Sequence, residues 1–179
     1  AYRMARDGVK DSDHFGLRSR PFVIGIAGDS GSGKDTLASA IHDLFGEASV
    51  AHVSGDDYHL AARNEALWRT TTHLDPRAND LVALTENVIS LGESRTIAVQ
   101  KYDHALGRFT ARQDLAHKDF IVVSGLLIYI VPQLRERCDI KVYLDMDEEL
   151  REYFKISRDV NERGHSEEAV RASLDTRQA

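Results

Sequence analysis

Short apolar runs alternate along the chain with longer stretches in which apolar residues recur every three or four positions. The runs at 22–27, 48–53, 97–99, 120–123 and 140–144 predict strands. Helical spacing at 36–45, 80–91, 131–137, 148–163 and 167–176 predicts helices between and after them. Strands separated by helices call for right-handed crossovers, so the predicted class is α/β: a mainly parallel sheet with helices on both faces. Ligands on such sheets bind beyond the carboxyl ends of the strands. The chemically suggestive residues fall there: Gly28 after the first run, Asp56 after the second, 101–104 after the third and Ser124 after the fourth.

A length of 179 residues suits one domain, expected over 21–179 behind a polar leader or linker at 1–20. The start on Ala1 and the stop at Ala179, at the end of a helical pattern, suggest a longer parent chain with a neighbouring domain and a further C-terminal segment. The net charge of −6 gives no general attraction for nucleic acid or an anionic membrane, so an anionic ligand needs a local basic site. The single cysteine, Cys138, excludes an internal disulfide and reads as an inert thiol. No run approaches the ~20 apolar residues of a membrane span, and the charged start lacks the apolar centre of a signal peptide. A cytoplasmic protein is expected, with its oligomeric state open and a homo-oligomer allowed.

The segment GDSGSGKD at 28–35 follows a strand and opens a helix, the context of a Walker A loop. Gly28, Gly31 and Gly33, with Asp29, Ser30 and Ser32 between them, let backbone N–H groups converge on phosphates, and the helix adds its positive end. Lys34 then sits between the β- and γ-phosphates of ATP, with Asp35 and Thr36 following. A glycine-rich turn with a solvated lysine is the plain alternative. One position departs from the motif, because Asp35 stands where a Ser or Thr normally gives its hydroxyl to Mg²⁺.

Six segments, GDSGSGKDT (28–36), GDDYH (55–59), HLDPRAND (73–80), KYDHALG (101–107), VYLD (142–145) and KISRDVNERGHS (155–166), resemble the phosphoribulokinase and uridine kinase family, more closely its phosphoribulokinase side. The resemblance covers nearly everything from Phe22 to Arg177. It implies a P-loop fold with a helical lid, ATP and Mg²⁺ as cofactors, and a small-molecule acceptor: a pentose, a pentose phosphate or a nucleoside. It also implies roles. Asp56 resembles the catalytic base, with Asp57 as its local rival, since adjacent residues of an extended segment face opposite ways. His59 and Arg63 resemble contacts to the sugar phosphate, and Lys101, Tyr102 and His104 resemble a second acceptor-binding segment. Lys155, Arg158, Asp159 and Arg163 resemble the lid, with Arg158 and Arg163 meeting the transferring phosphoryl. As bare residues, Arg63 is equally a surface arginine, 101–104 a polar strand end, and 155–163 a solvated helix with an i, i+4 pair between Lys155 and Asp159.

The family carries a Glu before the Gly-Leu that follows the fourth strand, and this chain has Ser124 there. Hydroxyl and carboxylate thus look exchanged between Asp35 and Ser124, which implies a metal site built from both. Loss of the metal site is the opposing reading. Three functions follow: a phosphoribulokinase-like kinase, a uridine or cytidine kinase, or a nucleotide-binding regulatory module.

Overall fold

The computed structural model describes residues 20–161 and 163–178, so all but Arg20 of the expected leader lies outside the described residues. Its centre is a four-stranded, fully parallel sheet in the order β2-β7-β1-β8. These strands are β1 (Phe22–Gly28), β2 (Val50–Ser54), β7 (Phe120–Gly125) and β8 (Ile140–Leu144). Strands β1 and β7 lie inside the sheet, and each is apolar along its length because both faces are covered.

On one face, Ile24, Ile26, Val50, Phe120 and Val122 pack against helix α1 (Lys34–Phe45), where the Phe45 ring stacks on Phe120 at 4.4 Å. On the other, Val23, Val53, Ile121 and Val123 meet Leu84, Val88 and Leu91 of α3 (Leu81–Gly92) and Leu134 of α4 (Pro132–Arg137). The short helix α2 (Ala66–Thr70) precedes α3, and α5 (Glu148–Asn161) and α6 (Glu167–Gln178) close the chain. Among the described residues no helix is long and apolar enough to cross a membrane.

The run at 97–99 departs from expectation. Strand β3 (Ile97–Val99) does not join the parallel sheet; it pairs antiparallel with β6 (Gln113–Leu115). Its pattern explains this, because Ile97 and Val99 are buried while Ala98 between them is exposed, the mark of a strand covered on one face only. The chain then folds back as a hairpin of β4 (Tyr102–Asp103) and β5 (Arg108–Phe109). Residues 101–104 therefore reach the strand ends from a hairpin, not from a sheet strand.

Cys138 is buried and free, and burial pushes its thiol up to about 11, which fits an inert side chain. It borders a tight spot: a Cβ on Gly25 would lie 2.7 Å from the Tyr129 hydroxyl and 2.8 Å from Cys138 Sγ. That hydroxyl accepts the Val142 N–H at 3.0 Å and donates to the Val142 carbonyl at 3.2 Å. Gly25→Ala is expected to displace Tyr129 and lower stability by about 1–3 kcal/mol, read by urea denaturation.

Candidate active site

The phosphate loop is built by the turn from β1 into α1. Gly31 adopts φ 92°, and a Cβ there would stand 2.8 Å from the Arg151 carbonyl oxygen and 3.1 Å from Lys155 Cβ, so only glycine lets α5 lie against the loop. Arg151 also reaches Asp29 at 3.6 Å. No side chain caps α1 behind Gly33, which leaves its first N–H groups free for an anion. Lys34 is buried at the loop's end, and Ser32 is buried with its hydroxyl lacking a hydrogen-bond partner among the described residues, an orphaned group that a phosphate oxygen would satisfy. Thr36 is exposed on the first turn of α1.

Across from the loop a 3₁₀ turn, Gly55–Tyr58, ends β2, and Ser54 Oγ accepts the Asp56 N–H at 3.3 Å. This turn separates the two aspartates. Asp56 faces a cleft of about 620 Å³ and meets His104 Nε2 at 3.1 Å. Burial raises its carboxyl, but the His104 hydrogen bond and the charges of Lys34, His104 and His59 outweigh burial and hold it well below the usual carboxylate range. Asp57 points to the hairpin instead, its Oδ1 accepting the Tyr102 N–H at 2.7 Å, and burial pushes it up to about 6.

The same cleft gathers Ser30, Lys34, His59, Arg63, Tyr102 and His104 with the lid residues Lys155, Arg158, Asp159 and Arg163. On the lid, Asp159 holds three cations: Lys155 Nζ at 3.1 Å, Arg158 Nη2 at 2.9 Å and Arg163 Nη1 at 3.2 Å. Burial raises the Asp159 carboxyl, yet Arg158 and Lys155 pull it below its ordinary value. The i, i+4 pair of Lys155 and Asp159 exists, but it is buried rather than solvated. Arg158 reaches onward to Ser30 Oγ at 3.4 Å.

Lys101, Asp35 and Ser124 stand apart from the cleft lining. The Lys101 side chain is exposed and does not line the cleft, although its charge reaches His52 and Asp57; the Lys101 N–H donates to Thr110 Oγ1 at 3.0 Å. Ser124 is fully buried, and its Oγ shares a 2.9 Å hydrogen bond with His52 Nε2. His52 is neutral at pH 7, since burial and the Lys101 charge lower it to about 4 against the pull of Asp35. Asp35, 54% exposed, sits 3.9 Å from Lys34 Nζ. Ser124 and Asp35 thus lie on the α1 side of the sheet, with His52 bonded to the first and within electrostatic reach of the second. Among the described residues no three His, Cys, Asp or Glu side chains cluster as a metal cage. A Mg²⁺ bound through one carboxylate, substrate phosphates and water needs none, so Asp35 fits such an ion while the Ser124 hydroxyl is already engaged.

Several cleft residues escaped the sequence reading. Trp68 stacks between His73 at 5.7 Å and Tyr102 at 5.8 Å, and His59 meets Trp68 edge-on. His165, in the turn before α6, also lines the cleft. The lone tryptophan was a usable signal, as was a histidine inside the apolar run of β2.

The Asp57 geometry fixes a pH dependence. Its folded-state carboxyl lies above the unfolded value of 3.8, so the group favours folding most below pH 4 and loses that contribution as pH rises through about 6. Asp57→Asn keeps an oxygen for the Tyr102 N–H and removes the proton. Between pH 4 and pH 7 its stability should gain on the native chain by about 1–2 kcal/mol, measured by urea denaturation at both values.

The phosphoribulokinase / uridine kinase family model matches residues 23–179. A phosphoribulokinase of Synechocystis is 37% identical over 88% of this chain and 48% of its own length. A uridine kinase of Clostridium perfringens is 36% identical over 84% of this chain and 74% of its own length. The solved phosphoribulokinase from Rhodobacter spheroides superposes with a TM-score of 0.62 at 19% identity, covering 84% of this chain and 61% of that one, a likeness of fold. The chain spans about half the length of the curated phosphoribulokinases it matches. With its loop, turn and lid disposed as described, the chain belongs to the phosphoribulokinase / uridine kinase family.

Proposed function

We propose that this chain transfers the γ-phosphoryl group of ATP to a hydroxyl of a pentose phosphate. The observation that carries the reading is the Asp56 carboxylate, ionised and held by His104, facing the Lys34 loop across a cleft that the lid cations overhang. Asp56 takes the proton of the acceptor hydroxyl, and its ionised state is available throughout the physiological range. The amides at the start of α1 and the Ser32 hydroxyl hold the phosphates, with Lys34 between the outer two. Arg158, Arg163 and Lys155 turn from Asp159 to the phosphoryl oxygens as charge spreads over them, and the closed lid keeps water out. Mg²⁺ beside Asp35 supplies further charge neutralisation when bound. Arg63 provides a guanidinium for the phosphate of the acceptor.

A nucleoside acceptor is favoured by a different observation, the ring stack of His73, Trp68 and Tyr102, which offers planar surfaces to a base. A coupled ADP-release screen with ribulose 5-phosphate, uridine and cytidine separates the two. Turnover with ribulose 5-phosphate and none with nucleosides is expected; the reverse order favours the nucleoside reading, and nucleotide binding without any ADP release leaves a nucleotide-binding module. Asp56→Asn should lower kcat by about 10²–10⁴ with nucleotide affinity little changed, compared by steady-state kinetics and ADP titration.

The exchange of hydroxyl and carboxylate is tested by Asp35→Thr, Ser124→Glu and both together. With Ser124 buried against His52, Asp35→Thr is expected to impair Mg²⁺-dependent turnover, and recovery in the pair would mean that a carboxylate at position 124 can take over the ion. An inactive native chain activated by the pair would show that the metal site had been lost rather than rearranged.

A further inference from the structure

The acceptor half of the cleft depends on a contact that lies outside its lining. Arg63 is tied to the β4–β5 hairpin at both ends: its N–H donates to the Gly107 carbonyl at 2.9 Å, and its Nη2 donates to the His104 carbonyl at 2.7 Å. The hairpin turn is closed by the Gly107 N–H, which donates to the Asp103 carbonyl at 2.7 Å. Gly107 has φ 65°, and a Cβ placed on it would stand 2.8 Å from Arg63 Cβ, 3.2 Å from Nε and 3.3 Å from Cδ. The Arg63 side chain therefore lies across a bare Cα on its way to the cleft. Two separate demands exclude a side chain here. The left-handed conformation costs an alanine about 1 kcal/mol and is tolerated by asparagine, but the lack of space applies to every Cβ.

What Arg63 touches makes its placement consequential. The hairpin that holds it also carries His104, which meets Asp56 at 3.1 Å, and Tyr102, whose N–H is fixed by Asp57. Tyr102 is buried, and its hydroxyl lies near the Arg63 guanidinium without reaching hydrogen-bond geometry. A guanidinium and an unsatisfied phenol side by side in a cleft are donors for an oxyanion of the substrate.

We propose that Gly107 is a positioning residue: by presenting no side chain it sets the path of Arg63, and with it the grip of the acceptor half of the cleft on an anionic group. The substrate arm of the test rests on the phosphorylated acceptor proposed above; the placement of Arg63 does not.

Gly107→Ala is compared with the native chain in two measurements. Phenylglyoxal modification followed by peptide mass spectrometry reads the accessibility of Arg63 against the exposed Arg112. Fluorescence of Trp68, the single tryptophan and a wall of the cleft, reads binding of ribulose 5-phosphate, with ADP titrated separately by calorimetry. The variant is expected to expose Arg63 several-fold relative to Arg112 and to weaken ribulose 5-phosphate by about tenfold, the loss of one charge-assisted hydrogen bond, while ADP changes by less than about twofold. In an Arg63→Gly background, which removes all three contacted atoms, adding Gly107→Ala should change ribulose 5-phosphate binding by less than about twofold. Unaltered Arg63 reactivity, or additive losses in the double variant, would overturn the proposal. If Gly107→Ala alone fails to fold, the double variant is expected to fold, and its unfolding would equally overturn it. A native chain whose fluorescence ignores ribulose 5-phosphate refutes the phosphorylated acceptor and leaves Arg63 reactivity to decide the role of Gly107.

Discussion

Positive charge in excess of the carboxylates that share its space governs the cleft, although the chain as a whole is anionic. Lys34, Arg63, Lys155, Arg158 and Arg163 line it, against Asp56 and Asp159. Like charges drawn together in a partly buried space repel, and burial with the neighbouring Arg158 lowers the Arg163 guanidinium from its ordinary value. The arrangement holds because the sheet register, the 3₁₀ turn and the lid helix are each secured by packing elsewhere. A polyanion relieves the repulsion, so the fold stores a preference for phosphate in its geometry.

The register of the parallel strands sets the distances on which that preference acts. Ala27 pairs with Gly125, and Ser54 pairs with Ser124, so the phosphate loop and the Asp56 turn leave the sheet at nearly the same level on either side of β7. Gly55 and Gly125 approach closely there, with a Cβ on Gly125 only 3.2 Å from Gly55 Cα. Small residues at this crossing let the Asp56 turn lean toward the loop.

Local signals carried most of what the sequence revealed. A strand, a glycine-rich turn and a helix in succession identify the phosphate loop because each acts on its neighbours, and the continuous apolar runs of β1 and β7 identify the inner strands. Long-range pairing was less legible. The strand at 97–99 has the right residue types, but its partner is a segment at 113–115 with little strand character, and nothing local announces that pairing. Lys101 looked like a ligand by resemblance and lies outside the cleft lining, while Ser124 is claimed by His52, a residue 72 positions away. The alternation of an extended chain predicts that Asp56 and Asp57 diverge, and they do, but through a 3₁₀ turn rather than an extended segment. Resemblance favoured Asp56; the Tyr102 N–H that holds Asp57 away from the cleft is brought near only in the folded chain.

Asp159 keeps three lid cations in order before any phosphate arrives. Under the function proposed above, its carboxylate is a rival to the nucleotide for the same donors, and binding would exchange one set of ion pairs for another and yield only the difference between them. A spent nucleotide, with one phosphoryl fewer, would compete less well against a carboxylate fixed on the same helix. For the proposed transfer, such a lid would carry its own means of letting go, so that a tight grip during transfer need not become a slow release afterwards.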